Sequence, residues 1–241
     1  MPLPESVAQH YDVLPTRYWS ESYFTIAPNY VVYQVDGFRQ MTGREPRGSI
    51  ALDIGAGIGK AMVALERSGF ETHGIEPSAS FRQAALERFE ISEDRLRLSS
   101  IEDADYPDGM FDFINFTAVL EHLPDPAAIL RKTTRWLKPD GVMLVDVPSS
   151  SFLLSKLIRL FYHLTGNNFV INTCPMHVPY HLYEFGVESF RRNSRLGGYS
   201  VIHVDPNPCA EFVPRMLRPL SERVMRRTWT GMQLLVWLKR Q

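Results

Sequence analysis

The stretch Leu52-Asp-Ile-Gly-Ala-Gly-Ile-Gly-Lys60 ("LDIGAGIGK") sets three glycines, Gly55, Gly57 and Gly59, at alternate positions behind the apolar run Ile50-Ala51-Leu52 and the acid Asp53. An apolar run of strand length, a glycine-rich turn and then the amphipathic "AMVALERSG" predict a buried strand, a tight loop and a helix that ends near Gly69. Glycine has no Cβ, so such a loop takes positive φ and lets another group touch the main-chain N–H groups at the start of the helix.

The same rhythm continues outward. "ETHGIE" reads as a second strand leading into the helix "PSASFRQAALERFE", "RLRLSS" as a third strand and "FDFINFT" as a fourth. Asp125 is a suitable N-cap with Pro126 at the first helical position, a helix is expected to Lys138, and Pro139-Asp140-Gly141 is expected to turn into the fifth strand "VMLVDVP". Beyond Pro148 come an amphipathic helix over 152–164, a Pro- and His-containing loop, a helix ending at Gly197-Gly198, the strand "YSVIHVD", a basic helical insert over 214–228 and a last strand "MQLLVWLK". Strands alternating with helices predict a doubly wound α/β fold, with a mostly parallel seven-stranded sheet, a helical N-terminal cap and insertions after strands five and six. The expected organisation is one domain over 1–241, with a cap (1–45), a core (46–148) and insertions plus the last two strands (149–241). The tyrosine- and tryptophan-rich first 45 residues are expected to fold over the carboxyl end of the sheet, where open α/β sheets bind ligands.

With 241 residues, 44% of them hydrophobic, the chain is long enough to bury a full core. Its formal net charge of -1 supplies no basic field for gathering nucleic acid, so no nucleic-acid partner is expected. The two cysteines, Cys174 and Cys209, form neither a CxxC pair nor a disulfide framework, and the first residues lack a basic and an apolar leader region. A cytoplasmic location and free thiols are the corresponding expectations. The apolar "SFLLSKLIRLFYHL" is interrupted by Lys156 and Arg159 and falls short of the roughly 20 residues a membrane span needs, so no transmembrane segment is expected.

Glu76 lies twenty-one residues after Gly55, at the tip of the second strand, where a carboxylate accepts the hydroxyl hydrogens of an adenosine ribose. Together with the glycine loop it points to a nucleoside-containing cofactor. A dinucleotide fingerprint needs a small residue where this chain has Lys60, so a nicotinamide oxidoreductase is the second reading, and a binding protein without turnover the third.

At these residues the chain resembles the class I S-adenosyl-L-methionine-dependent methyltransferases. "LDIGAGIGK" looks like their first motif, with Asp53 in the acidic position, and "GIEPS" (Gly74 to Ser78) like the ribose-binding motif. "SSIEDADYPDGMFDFINFTAVLEHLPDP" (Ser99 to Pro126) resembles the adenine-binding turn and fourth strand, and "LKPDGVMLVDVP" the entry to the fifth. The likeness extends through "HLYEFGVESFRRNSRLGGYSV", covers roughly residues 45 to 205, and is similar above all to small-molecule methyltransferases of the ubiquinone-biosynthesis O-methyltransferase type. It implies S-adenosyl-L-methionine as cofactor and S-adenosyl-L-homocysteine as product. Its contacts would fall on Asp53, Gly55, Ala56, Gly57, Glu76, Pro77, Ser100, Ile101, Glu102, Phe116 and Thr117. Ser100 replaces the Asp that many relatives carry, so Ser100, Ile101 and Glu102 are expected to hold the adenine partly through backbone contacts, while Lys138-Pro139-Asp140-Gly141 replaces the usual Pro-Gly-Gly.

The implied reaction moves a sulfonium methyl group to a nucleophile, most simply a hydroxyl of a small molecule. Positioning contributes about 7 to 11 kcal/mol, and a general base about 100- to 10,000-fold. His122, just past the fourth strand, and His181, on the segment that covers the acceptor pocket in relatives, are the candidate bases. Tyr18, Trp19 and Tyr23 are candidates for stacking on the acceptor or facing the sulfonium. Cys174-x2-His177-x3-His181, with Cys209, has metal-ligand character, but three neighbouring ligands do not make a closed site, and no metal is expected. The basic insert is expected to be a solvated helix face; with the apolar helix before it, contact with a lipid-like acceptor or a membrane surface is the alternative.

Overall fold

The computed structural model describes residues 13–18, 20–169, 181–208 and 213–241. Its sheet comprises β1 (Ile50–Ile54), β2 (Glu71–Glu76), β3 (Leu96–Leu98), β4 (Phe111–Thr117), β5 (Leu137–Pro148), β6 (Tyr199–Asn207) and β7 (Gln233–Arg240). The strand order is β3-β2-β1-β4-β5-β7-β6. The first five strands pair in parallel, and β7 runs antiparallel between β5 and β6. This is the doubly wound, mostly parallel seven-stranded arrangement of a Rossmann-like methyltransferase fold. The order reverses between β1 and β4, and the crevice at their carboxyl ends is where such sheets hold ligands.

Among the described residues the α-helices of two turns or more are α1 (Val32–Thr42), α2 (Lys60–Arg67), α3 (Ala79–Phe89), α4 (Pro126–Trp136), α5 (Leu153–Leu164), α6 (Val187–Gly197) and α7 (Arg218–Thr228). Successive strand residues face opposite sides, so β1 feeds two cores. Ala51 joins Phe38, Leu65, Phe70, Phe113, Leu144 and Trp237 beneath α1 and α2. Leu52 and Ile54 join Ile114, Phe116, Ile129, Leu130, Trp136 and Phe190 beneath α4 and α6. Both faces being covered explains why the strands read as apolar runs instead of alternating ones.

Asp125 caps α4 as expected, accepting from the Ala128 N–H at 2.9 Å, with Pro126 in the first turn. The helix stops at Trp136, not Lys138, because Leu137 is fully buried and already pairs with Phe111. Phe113 then pairs with Val142, so Lys138 to Gly141 form a bulge within β5 where a separate turn was expected. The bulge brings Lys138 Nζ to 2.7 Å from Asp112, whose carboxylate also takes Arg44 Nη1 at 2.7 Å and the Ile50 N–H at 2.8 Å. Burial alone pushes the Asp112 carboxyl up, but these three donors hold it below its usual range.

The expected cap over the carboxyl edge is corrected in part. Within the first 45 residues, α1 lies on a sheet face because Val35 and Phe38 form an apolar stripe that only the sheet can bury. The chain before α1 does reach the carboxyl edge: Ser80 Oγ donates to the Val13 carbonyl at 2.8 Å, and Lys60 Nζ to the Tyr23 carbonyl at 2.6 Å. The inserted helices are as expected. The arginines of α7 are exposed, with Arg226 paired to Asp205 at 3.1 Å. On α5, Leu160 and Phe161 are 53% and 62% exposed, yet among the described residues no helix is long and apolar enough to cross a membrane.

Gly37 is what lets α1 sit on β7: a Cβ there would lie 2.0 Å from Cζ2 of Trp237, which itself stacks on Phe113 at 5.8 Å. Gly37→Ala, although favoured by helix propensity, is therefore expected to destabilise the fold by about 1–3 kcal/mol. Urea denaturation followed by tryptophan fluorescence would show this as a lower midpoint.

Candidate active site

The three loop glycines are required for different reasons. Gly55, Gly57 and Gly59 have φ of 69°, 56° and 80°, in the left-handed region that side chains disfavour. A Cβ on Gly55 would come within 2.5 Å of Val119 Cγ2, and one on Gly59 within 2.2 Å of Ile91 Cδ1. Those two positions are cleared for the protein's own packing. A Cβ on Gly57 would meet nothing within 4 Å, so Gly57 alone borders open space at the switch point. The Gly55 and Ala56 N–H groups both donate to the Ile75 carbonyl at 2.9 Å, which welds the loop to the end of β2.

Glu76 closes that weld. Its Oε2 accepts the Gly57 N–H at 2.7 Å and its Oε1 the Ser78 N–H at 2.8 Å, where Ser78 also caps α3. Each oxygen keeps a second lone pair. The side chain is buried, and burial pushes its carboxyl up to about 7 against the pull of the two N–H groups, with Asp53 adding repulsion. Asp53, on β1, is buried as well; burial raises it to about 7, opposed by Asn115 Nδ2, which donates to Oδ1 at 2.7 Å. Asn115 was missed in the sequence, where its signal is an amide inside the otherwise apolar end of "FDFINFT". Tyr30, also missed, lies near enough for Asp53 to add to the burial that raises its phenol.

The expected adenine contacts are rearranged. Pro77 is exposed beside Glu76, and Thr117 is exposed at the end of β4. Phe116 is fully buried in the core beneath α4, because its parity in β4 points it away from the crevice with Ile114. Ile101 joins the same core. Ser100 spends its hydroxyl on Asp103, donating to Oδ2 at 2.7 Å. The carbonyls of Ile101 and Glu102 accept Lys132 Nζ at 3.2 and 2.7 Å. Backbone carbonyls here are thus held by Lys132 of α4, and the Ile101 and Phe116 side chains do not face the crevice.

After β4 the chain turns sharply. Ala118 has φ of 54°, a strained value for a residue with a Cβ, and its N–H donates to the Asp146 carbonyl at 3.1 Å. The turn lays Val119 over Gly55 and directs Glu121 inward, where it is buried. Both His122 Nε2 and His181 Nε2 lie 3.9 Å from Glu121 Oε1, and the two imidazoles are 4.9 Å apart at 57°. The two candidate bases are therefore brought together, with Glu121 behind them. Burial raises the Glu121 carboxyl to about 8, and Asp146 adds to this. Cys174, His177, Cys209 and Trp19 lie outside the described residues, as does the side chain of Tyr18. Tyr23 turns its ring to Lys60 Nζ, 4.2 Å from the ring centre.

Residues 31–208 match the family model described as "Methyltransferase domain". Phosphoethanolamine N-methyltransferase 2 of Caenorhabditis elegans is 33% identical over 104 residues, 42% of this chain and 24% of that protein. The ubiquinone biosynthesis O-methyltransferase of Pseudomonas aeruginosa (strain LESB58) is 30% identical over 140 residues, 56% of this chain and 60% of that protein. The chain thus spans less than two thirds of the curated relatives it matches. Among solved structures, the [4+2]-cyclase SpnF shares the fold with a TM-score of 0.62 at 15% identity, covering 99% of this chain and 97% of that one. A possible histamine N-methyltransferase of Thermotoga maritima has a TM-score of 0.59 at 15% identity, covering 98% and 100%.

Asp53 and Glu76 both titrate higher in the fold than in an unfolded chain, so the stability their protons lend the protein is complete below the ordinary carboxylate range, declines as pH rises above it and is gone once pH has passed about 7. A ligand that donates hydrogens to these groups requires them ionised. Affinity for S-adenosyl-L-homocysteine is expected to rise between about pH 6 and 8, with proton release on binding. Calorimetry in buffers of different ionisation enthalpy would read both; affinity independent of pH would contradict the assignment.

Proposed function

Since this chain belongs to the methyltransferase-domain family, we propose that it transfers the methyl group of S-adenosyl-L-methionine to a hydroxyl of a small-molecule acceptor. The observation that carries the reading is the Glu76 carboxylate, held by the Gly57 and Ser78 N–H groups with a free lone pair on each oxygen, at the border of the open space beside Gly57. That geometry suits a ribose diol, whose two hydroxyls present two donors. In this reading Asp53, held by Asn115 on the neighbouring strand, takes the ammonium of the cofactor's amino-acid tail.

When bound, S-adenosyl-L-methionine would supply a sulfonium methyl group for in-line displacement by the acceptor oxygen, the carbon–sulfur electron pair leaving with sulfur. The protein's part is to hold donor and acceptor in line, which contributes about 7 to 11 kcal/mol, and to stabilise the oxygen as its proton leaves. In this reading His122 and His181, on the turn that follows β4 and the segment that docks on it, take the second task. The hydroxyl acceptor is supported by the likeness to ubiquinone O-methyltransferases, and the small-molecule class by a net charge of -1, which favours no polyanion.

Glu76→Ala and Glu76→Gln test the reading. A hydrogen bond to a charged group is worth about 1.5–3 kcal/mol, so either variant is expected to bind S-adenosyl-L-homocysteine at least ~10-fold more weakly in calorimetric titration. NADH should give no saturable heat with the unaltered protein. Wild-type affinity in Glu76→Ala would remove the ribose assignment.

A further inference from the structure

We propose that Glu121, His122 and His181 form a binding site for one divalent transition-metal ion of the zinc class. One ligand atom from each residue lies within 4.8 Å of the others, and both imidazole Nε2 atoms converge on the same carboxylate oxygen at 3.9 Å. Metal–ligand bonds of about 2.0–2.2 Å at a tetrahedral angle separate neighbouring ligand atoms by about 3.5 Å, so the two histidine–carboxylate distances of 3.9 Å are near those of a filled site and side-chain rotation of about an ångström seats the ion.

The arrangement is built by the fold. Glu121 and His122 occupy a single 3-10 turn, Leu120–His122, after β4. His181 is brought to them because the Leu182 N–H donates to the Glu121 carbonyl at 2.8 Å and Tyr183 Oη donates to the Pro124 carbonyl at 2.9 Å. A parallel bridge between Ser149 and Phe185 fixes the same segment to the end of β5.

A second observation points to a cation. The Glu121 side chain is 2% exposed, and its Oε2 has no hydrogen-bond partner among the described residues. Oδ1 of Asp146, a carboxylate near enough to repel Glu121, is buried and unpartnered too. Among the described residues, no lysine or arginine pairs with either acid. A buried, unpartnered oxygen on each of two neighbouring acids is unfavourable unless the acids stay protonated or a positive ion joins them. Two imidazoles and a carboxylate suit zinc, cobalt, nickel, iron or manganese, whereas magnesium and calcium prefer all-oxygen sites. Three protein ligands leave the fourth position of a tetrahedral site for a water or a substrate oxygen.

The role of the ion rests on the methyltransferase reading. A hydroxyl bound at the open position has its pKa lowered; its proton passes to water, the oxygen lone pair forms the new bond to the methyl carbon, and the carbon–sulfur pair returns to sulfur. Under this proposal the two imidazoles act through the ion and not as proton acceptors.

The test uses the full chain, stripped with chelator and then titrated with Zn²⁺, Co²⁺ and Mg²⁺ by equilibrium dialysis, with the Co²⁺ ligand-field spectrum recorded. One equivalent of zinc or cobalt with a low-coordinate cobalt spectrum, no stoichiometric magnesium, and affinity lowered about tenfold or more in both Glu121→Gln and His181→Ala would support it. His181 is partly exposed and lies outside any helix or strand, so His181→Ala is expected to fold even where the buried change does not. Absence of stoichiometric zinc and cobalt in the unaltered chain, or equal affinity in the folded His181→Ala variant, would overturn it. Binding of S-adenosyl-L-homocysteine by the same samples separates the two failures: retained cofactor binding with no metal sinks only the metal site, and metal binding with no cofactor sinks only the methyltransferase reading.

Discussion

The candidate site depends on one buried carboxylate holding two pieces of chain together. Glu76 ends β2, and by accepting from Gly57 and Ser78 it fixes both the loop that follows β1 and the first turn of α3. Without it the Gly57 N–H would lose its acceptor, and the loop would be tied to β2 by the two bonds to the Ile75 carbonyl alone. The same interaction explains why the glycine pattern has its spacing. Gly55 and Gly59 yield to Val119 and Ile91, and this double clearance presents the backbone at Gly57 both to the acid and to open space.

Burial makes this arrangement electrostatically uneven. Asp53, Glu76, Glu121 and Asp146 all titrate near 7 or 8, each chiefly because it has been taken out of water. Each therefore stabilises the empty fold as a neutral acid at low pH, and this contribution fades as pH rises through those values. At the opposite end of the sheet Asp112 behaves inversely: surrounded by Lys138, Arg44 and the Ile50 N–H, it stays ionised and lends stability that is lost only as pH falls through its depressed value. One end of the sheet is thus satisfied by the chain's own cations, and the carboxyl end by protons or by ligands. Under the proposed reading, a sulfonium cofactor with an ammonium group, or a metal ion, would bring positive charge to these acids.

Much of the fold was legible because its determinants are local or periodic. Apolar runs of strand length, Asp125-Pro126 ahead of α4, and Gly198 behind α6 each follow from rules that act over a few residues. The departures came from pairing across the sheet. Nothing near Lys138 announces that Leu137 already belongs to β5; that follows from its partner Phe111, twenty-six residues earlier in the chain. Similarly, the aromatic richness of the first 45 residues suggested a cover over the ligand edge, but the apolar stripe on α1 found its match in Phe113 and Trp237 on a sheet face.

The site divides along the same line. The positions of Asp53, Gly57 and Glu76 at the carboxyl ends of β1 and β2 were legible because strand parity and loop spacing dictate where their polar atoms go. The surroundings of Phe116 and Ile101 were not: adjacency in sequence to a binding turn says nothing about which face of the chain a side chain takes, and both side chains turn into the core beneath α4, which leaves their main chain for any contact at the crevice. Glu121 is the most instructive case. In sequence it is one acid beside a histidine; its character comes from the φ of 54° at Ala118, which drives the next turn inward, and from the bond between Leu182 and its own carbonyl, which carries His181 across some sixty residues to meet it. A pair of histidines that sequence could propose only as separate bases becomes, through that backbone turn, a single constellation with a buried acid at its centre, and the chemistry open to it changes from proton transfer by one ring to the binding of a cation by three groups.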